Sequence, residues 1–246
     1  MPFFGGGEVL TVAGRSGTLK TTTGLILAHR IAARLGSQCL MVSLEMDAGS
    51  LAFRLATMAN SEERGAEQDG HATRERLLTD AAFFGRVSER YKNILTVDRD
   101  SLTLEQVELY LSLARERAEV DVMVIDYLGY LNDAAPGSNY DKVSRLARGV
   151  KALAKRAQVR IILLCQTSRE GKDGTEPVML HHLRDSGATE ESSDYVLGLW
   201  HASEENRLHC EILKARHGRR GARFDFINQG LHLIEDEFRD DRKERF

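Results

Sequence analysis

Apolar runs alternate with amphipathic stretches along most of this chain of 246 residues. Short runs that are apolar at nearly every position predict buried strands, and longer segments with apolar residues at helical spacing predict helices. The predicted strands cover residues 8–13, 39–44, 93–97, 122–125, 161–165, 195–200, 208–213 and 223–227. The predicted helices cover residues 20–35, 48–60, part of 104–118, and about 141–157.

The order of these elements predicts an α/β fold. Strands alternate with helices early in the chain, whereas the last three predicted strands follow one another without helices. This order is typical of a mainly parallel sheet flanked by helices and extended by antiparallel strands at the C-terminal end. Residues 61–74 are polar and predicted to be irregular, and the charged end, 235–246, is predicted to fray. We expect one core domain, 1–237, and a charged tail, 238–246.

Composition narrows the functional classes only slightly. Hydrophobic residues make up 42% and charged residues 29% of the chain, with a net charge of -3, so bulk charge does not indicate a nucleic-acid partner. Such a partner would need a local basic surface, and an ordinary cytosolic enzyme fits equally well. Cys39, Cys165 and Cys210 each lie in a predicted strand, which indicates core thiols. Neither a signal peptide nor a membrane-length apolar stretch is present, so we expect a cytoplasmic protein without a membrane partner.

A glycine-rich turn follows the first predicted strand and opens the first predicted helix. Residues 14–21 read GRSGTLKT, and the P-loop pattern is glycine, four variable residues, glycine, lysine and then serine or threonine. In such loops, backbone N–H groups cradle phosphates, the lysine reaches the β- and γ-phosphates, and the hydroxyl binds Mg²⁺. A turn that binds nothing is the alternative, but the strand–turn–helix context favours ATP and Mg²⁺. The predicted nucleotide-binding residues are Gly14, Arg15, Ser16, Gly17, Thr18, Leu19, Lys20, Thr21 and Thr22.

Leu19 departs from the P-loop pattern, which has glycine at this position. If the position requires a positive φ, a residue other than glycine costs about 1–2 kcal/mol there. Gly17 could supply the flexibility instead. Leu19 therefore leaves the strength of nucleotide binding open.

Polar side chains end three of the predicted strands. Asp126 follows an apolar run and is the expected second Mg²⁺-organising group, Glu45 follows another, and Gln166 ends IILLCQ. In open α/β sheets, ligands bind beyond the carboxyl ends of the strands. A carboxylate there, such as Glu45, can orient the attacking water and take its proton.

Lys214 and Arg216 lie two residues apart at the end of a strand-like run, EILKAR, and so share one face. They could be a solvated pair on an edge strand. They could also be cations for the γ-phosphate bound to a neighbouring subunit. Spacing alone does not decide between these interpretations.

Together these segments resemble the C-terminal ATPase domain of the DnaB family of replicative helicases, which has a RecA-like core. The resemblance extends in order over nearly the whole chain, and its motifs are GRSGTLKTT, SLEM, VIDYLGYL, LLCQTSR, HHLRDSGATEESSDYVLGLW and EILKARHGRRGARFDF. The family works as a hexameric ring that translocates on single-stranded DNA. The resemblance therefore implies an ATP-driven DNA helicase that assembles with copies of itself, with primase or a loader as further possible partners.

The resemblance also implies a role for each matched residue. Glu45 would be the catalytic base, Asp126 the Mg²⁺-organising carboxylate and Gln166 a sensor of the γ-phosphate. Lys214 and Arg216 would reach across a subunit interface, with Arg216 as the finger. The nucleic-acid residues would be Arg184, Asp185 and Gly187 in the family's DNA-contacting loop, with Arg169 and Lys172 in the preceding segment.

The resemblance begins at the first strand of the P-loop unit. The family's N-terminal helical domain and linker helix have no counterpart in this sequence, so we expect weaker assembly that depends on ATP or DNA. Two other functions stay open: a RecA-like recombination or repair ATPase that binds DNA without unwinding it, and a nucleotide-gated assembly module with low turnover.

Overall fold

A computed structural model of the protein describes residues 4–64, 70–167, 175–202, 206–229 and 231–240. Nine strands within these ranges form one sheet in the order β3-β2-β4-β5-β1-β6-β7-β8-β9. The strands are β1 Val9–Gly14, β2 Gln38–Ser43, β3 Ile94–Asp98, β4 Val120–Asp126, β5 Arg160–Gln166, β6 Tyr195–His201, β7 Arg207–Ala215, β8 Ala222–Gln229 and β9 His232–Asp240. All pairs among strands β1 to β6 are parallel, and the pairs from β6 to β9 are antiparallel, which confirms the predicted sheet.

Helices cover both faces of the parallel part of the sheet. They are α1 Lys20–Leu35, α2 Ala48–Arg64, α3 Gly70–Thr79, α4 Ala81–Arg90, α5 Leu104–Arg115, α6 Asn139–Ala157 and α7 Gly187–Ser192. Side chains alternate between the faces, so Val9 packs in the layer that contains residues of α5 and α6, while Leu10 packs in the layer that contains residues of α1. No helix in the described ranges is long and apolar enough to cross a membrane.

Helix ends follow local chemistry that the sequence displays. α1 ends at Gly36 as predicted, because its φ of 69° is a left-handed conformation that glycine adopts readily, and its N–H closes the last turn onto Ala32 O. Capping boxes at Thr103 and Ser138 begin α5 and α6.

The irregular segment predicted at residues 61–74 is wrong for the residues the structure describes. α2 continues to Arg64 and α3 begins at Gly70. The polar side chains satisfy one another in the interior, where buried Asn60 Nδ2 donates to Thr73 Oγ1 at 3.0 Å. The next helix, α4, was not predicted; it begins with an Asp80 cap and buries Phe83 completely.

The predicted frayed end is also wrong as far as Asp240. β9 pairs with β8 from the Gln229↔His232 pair to the Ala222↔Asp240 pair, so backbone hydrogen bonds hold a segment whose composition is charged. Residues 241–246 lie outside the described residues. The division into a core and a tail at residue 237 stays a prediction, and β9 would move that boundary beyond Asp240.

The three cysteines are free and buried, as predicted for core thiols. Burial raises the pKa of Cys39 and Cys210 to about 12 and that of Cys165 to about 11. A thiol with a pKa this high stays protonated at neutral pH and is a poor nucleophile.

Candidate nucleotide site and the Lys214–Arg216 pair

The phosphate loop folds tightly between β1 and α1. A Cβ at Gly14 would lie 2.4 Å from Thr18 Oγ1 and 2.9 Å from Leu199 O, so only glycine fits here. Thr18 Oγ1 donates to Arg15 O at 2.8 Å across the loop, while Ser16 and Gly17 are exposed. The loop is therefore compact at its base and open at its tip.

The Lys20 ammonium is held inside this loop. Its Nζ donates to Arg15 O at 2.6 Å. Burial lowers the pKa of Lys20, and the nearby charges of Asp126 and Glu45 oppose that shift. A partly desolvated cation bound to a neutral carbonyl is placed to exchange that carbonyl for a phosphate oxygen.

Thr21 and Asp126 meet at the carboxyl edge of the sheet. Thr21 Oγ1 donates to Asp126 Oδ2 at 2.7 Å, and Asp126 is only 1% exposed. Burial raises the pKa of Asp126, whereas the bond from Thr21 lowers it. Mg²⁺ is usually held by one or two carboxylates together with substrate phosphates and water, so this hydroxyl–carboxylate pair beside a phosphate loop fits that ion.

Glu45 and Gln166 lie at the same edge of the sheet. Ser43, at the end of β2, pairs with Asp126, and Glu45 follows two residues later with an exposed side chain. Gln166 pairs with Gly14 and is also exposed. The structure thus brings together the three strand-end polar residues and the P-loop, as their positions after parallel strands predicted.

Two further side chains reach this site that sequence reasoning missed. Arg54 Nη1, on α2, donates to the buried Thr22 Oγ1 at 3.0 Å; burial lowers the pKa of Arg54, while Asp126 and Glu45 raise it. His201 Nε2, at the end of β6, lies 3.1 Å from Gly17 O. A sequence signal existed for Arg54, which stands three residues after buried Leu51 and so shares its helical face.

Leu19 adopts the left-handed conformation that the sequence raised as a question. Its φ is 57° and its ψ is 28°, and Gly17 has a φ of 83°, so the loop contains both residues at positive φ. Leu19 also packs against the apolar layer on the α1 face of the sheet. Partly buried packing therefore offsets part of the conformational cost.

Because this backbone conformation is part of the fold, we expect relief of its strain to appear mainly in the free energy of unfolding. Leu19→Ala loses the packing but keeps the strain, whereas Leu19→Gly loses both. Leu19→Gly should therefore be more stable than Leu19→Ala by about 1 kcal/mol in urea denaturation, after allowing for the greater freedom of unfolded glycine. Nucleotide titration of both variants measures any effect on affinity. Equal stability of the two variants would show that leucine is accommodated here without strain.

Lys214 and Arg216 lie at the opposite edge of the sheet. Arg216 N donates to Asp194 O at 2.8 Å, beside the start of β1, whereas the P-loop follows the end of β1. The length of β1 separates the two edges by roughly 16 Å at the rise of a parallel strand. Lys214 Nζ donates to Glu190 O in α7 at 2.5 Å, and Arg216 Nη1 lies 3.1 Å from Asp194 Oδ1 in the α7–β6 connection. Neither cation can therefore reach a nucleotide bound at the P-loop of the same subunit.

The predicted nucleic-acid residues are only partly described. Arg169 and Lys172 lie outside the described residues. Arg184 and Asp185 belong to a 3-10 segment, Leu180–Ser186, whose backbone alone is described at these two positions. Gly187 begins α7. Their contact with DNA stays a prediction.

The sequence of this chain is similar to those of curated replicative helicases. "Probable plasmid replicative DNA helicase" of Chlamydia trachomatis serovar L2 is 28% identical over 215 residues, covering 86% of this chain and 47% of the relative. "Replicative DNA helicase DnaB" of Geobacillus stearothermophilus is 26% identical over 218 residues, covering 85% of this chain and 47% of the relative. The chain spans about half the length of these curated relatives.

Two solved structures share the fold. One, an ATPase domain, superposes with a TM-score of 0.75 at 22% identity, covering 94% of this chain and 85% of that chain. The other, a DnaB-like replicative helicase whose structure was described with its interactions with primase, gives a TM-score of 0.77 at 22% identity, covering 95% of this chain and 58% of that chain. The family profile of the DnaB-like helicase C terminal domain matches residues 4–230. The chain therefore belongs to the DnaB-like helicase C-terminal domain family, as the motifs predicted.

Proposed function

We propose that this chain is an ATP-hydrolysing motor that translocates on single-stranded DNA and unwinds duplex DNA, as the core of a replicative helicase. The observation that carries the proposal is the meeting of Lys20 with the Thr21–Asp126 pair at the carboxyl edge, next to Glu45. A phosphate loop, a Mg²⁺-organising carboxylate and a candidate base are the parts that P-loop ATP hydrolysis requires.

In the proposed reaction, ATP binds with its phosphates on the loop amides, and Lys20 moves from Arg15 O to the β- and γ-phosphates. Thr21 and Asp126 would hold Mg²⁺, which would neutralise charge on the phosphates. Glu45 orients a water for in-line attack on the γ-phosphorus and accepts its proton. Gln166, on the strand beside the P-loop strand, contacts the γ-phosphate.

The partners we propose are single-stranded DNA and further copies of this chain in a hexameric ring. A shared site is supported by the position of Lys214 and Arg216, which lie too far from their own P-loop and would complete a neighbour's site. The hexameric number is carried over from the family resemblance. Primase, named with one structural neighbour, and a loader protein are further candidates. The proposed motor acts in the cytoplasm.

Strand displacement on a forked DNA substrate tests the proposal, alongside steady-state ATP hydrolysis with and without single-stranded DNA. Wild-type protein should hydrolyse ATP faster with DNA and displace a strand, and Glu45→Gln should do neither. DNA-stimulated hydrolysis without displacement would instead identify a RecA-like repair ATPase. Nucleotide binding without turnover would identify a nucleotide-gated assembly module.

Arg184→Ala is expected to weaken single-strand binding and DNA-stimulated hydrolysis together, because a cation in the DNA-contacting loop meets phosphates. Binding to wild-type protein should fall steeply with salt and vary little with base sequence. Fluorescence anisotropy with labelled oligonucleotides at several salt concentrations measures this, with the exposed Arg34→Ala as a matched control. A change in basal hydrolysis alone would show that Arg184 belongs to the nucleotide site or the core rather than to the DNA-contacting loop.

A further inference from the structure

Asp194 stands at the centre of a charge cluster that the nucleotide site does not use. It precedes β6, is 2% exposed, and its Oδ2 accepts from Val9 N at 2.8 Å and from Lys151 Nζ at 2.5 Å. Its other oxygen, Oδ1, lies 3.1 Å from Arg216 Nη1. A buried carboxylate with hydrogen bonds and charge partners at both oxygens is fixed in position.

The two cations of the cluster are not equivalent. Lys151 has a side chain only 14% exposed, lies closer to the carboxylate, and also donates to Gly7 O at 2.9 Å. Arg216 is 47% exposed. A guanidinium has five N–H donors, of which the contact between Arg216 Nη1 and Asp194 needs few. Asp194 can therefore hold Arg216 without cancelling its attraction for a phosphate.

We propose that Asp194 is a positioning residue for Arg216 and acts on the nucleotide bound to the neighbouring subunit. Asp194 fixes the finger twice, since its carbonyl oxygen accepts from Arg216 N and its carboxylate faces the guanidinium. Nearby, Lys214 is bound to the Glu190 carbonyl. A preorganised finger loses less conformational entropy when it meets the γ-phosphate. This inference rests on the proposed function, because it needs hydrolysis at an interface.

The variant Asp194→Asn keeps the acceptor for Val9 N but removes the charge that holds Arg216. We expect unchanged nucleotide affinity and a fall in kcat of about 10²-fold, the scale of a misplaced catalytic group. The matched control is Lys151→Gln, which breaks the other ion pair of Asp194 and should keep most of the hydrolysis. If both variants lose stability and activity in parallel, Asp194 has only a structural role and the proposal is overturned.

Mixed assemblies test the trans action directly. Asp194→Asn subunits have an intact nucleotide site but a misplaced Arg216. Mixing them with Glu45→Gln subunits should therefore restore activity at some interfaces. Mixing Asp194→Asn with Arg216→Ala should restore no activity, because neither subunit supplies a correctly positioned Arg216. The reverse pattern, or no recovery in either mixture, overturns the proposal.

Two reference measurements separate failure of the positioning role of Asp194 from failure of the proposed function. Wild-type protein that does not hydrolyse ATP would refute the motor itself. An Arg216→Ala and Glu45→Gln mixture that co-assembles without recovery would refute the finger, and the role of Asp194 with it. Recovery in that mixture, but not with Asp194→Asn, refutes the positioning role alone.

Discussion

An Arg216→Ala protein is expected to bind ATP normally and to hydrolyse it about 10³–10⁵ times more slowly, the usual loss for an arginine finger. Binding survives because Lys20 and the loop amides lie at the other edge of the sheet from Arg216. Hydrolysis suffers because the charge that develops on the γ-phosphoryl group in the transition state loses a cation supplied by the neighbour. Nucleotide titration and single-turnover hydrolysis separate the two effects.

Since the proposed finger would act on a neighbour, wild-type specific activity should rise with protein concentration as subunits assemble. Arg216→Ala mixed with Glu45→Gln should regain part of the activity, since some interfaces pair an intact Glu45 with an intact Arg216. Specific activity that stays constant down to a demonstrated monomer would contradict a shared site. The distance between Arg216 and the P-loop of its own subunit would then need another explanation.

Lys20→Ala is expected to abolish ATP hydrolysis while leaving the fold intact. Lys20 is the cation that the loop holds against Arg15 O, at the position from which the lysine of P-loop proteins reaches the β- and γ-phosphates. Removing it also removes the cost of partly burying an ammonium, so the free energy of unfolding should change little.

The measurements are steady-state hydrolysis and urea denaturation, with Lys155→Ala on the exposed face of α6 as the control for loss of a lysine. Lys155→Ala should resemble wild type in both. Turnover by a cleanly folded Lys20→Ala protein would refute the assignment of residues 14–21 as the phosphate loop.

The sequence was informative where the determinant is local. Continuous apolar runs predicted the buried parallel strands because such strands are covered on both faces. The spacing from Gly14 to Thr21 predicted the phosphate loop because one tight turn must present amides, lysine and hydroxyl together. Asp126 and Gln166 could be placed because the carboxyl ends of parallel strands meet at one edge.

Composition misled where partners distant in sequence satisfy polar groups. Residues 61–74 looked irregular, but Thr73 within them accepts a hydrogen bond from the side-chain amide of Asn60 inside the fold. The charged end 235–240 looked free to fray, but its backbone pairs with β8, with one register shift between Asp225 and Phe226. Neither partner is visible in the local pattern.

The sequence by itself thus determined the α/β class, the strand–turn–helix around residues 14–21 and the placement of the carboxylates beside it. Only the tertiary structure decided that Leu19 takes a left-handed conformation, that Arg54 and His201 reach the candidate nucleotide site, and that Arg216 lies at the far edge beside Asp194. Strand order and the antiparallel return of β7 set these distances. They arise from contacts between residues far apart in the chain, which no periodicity within one segment encodes.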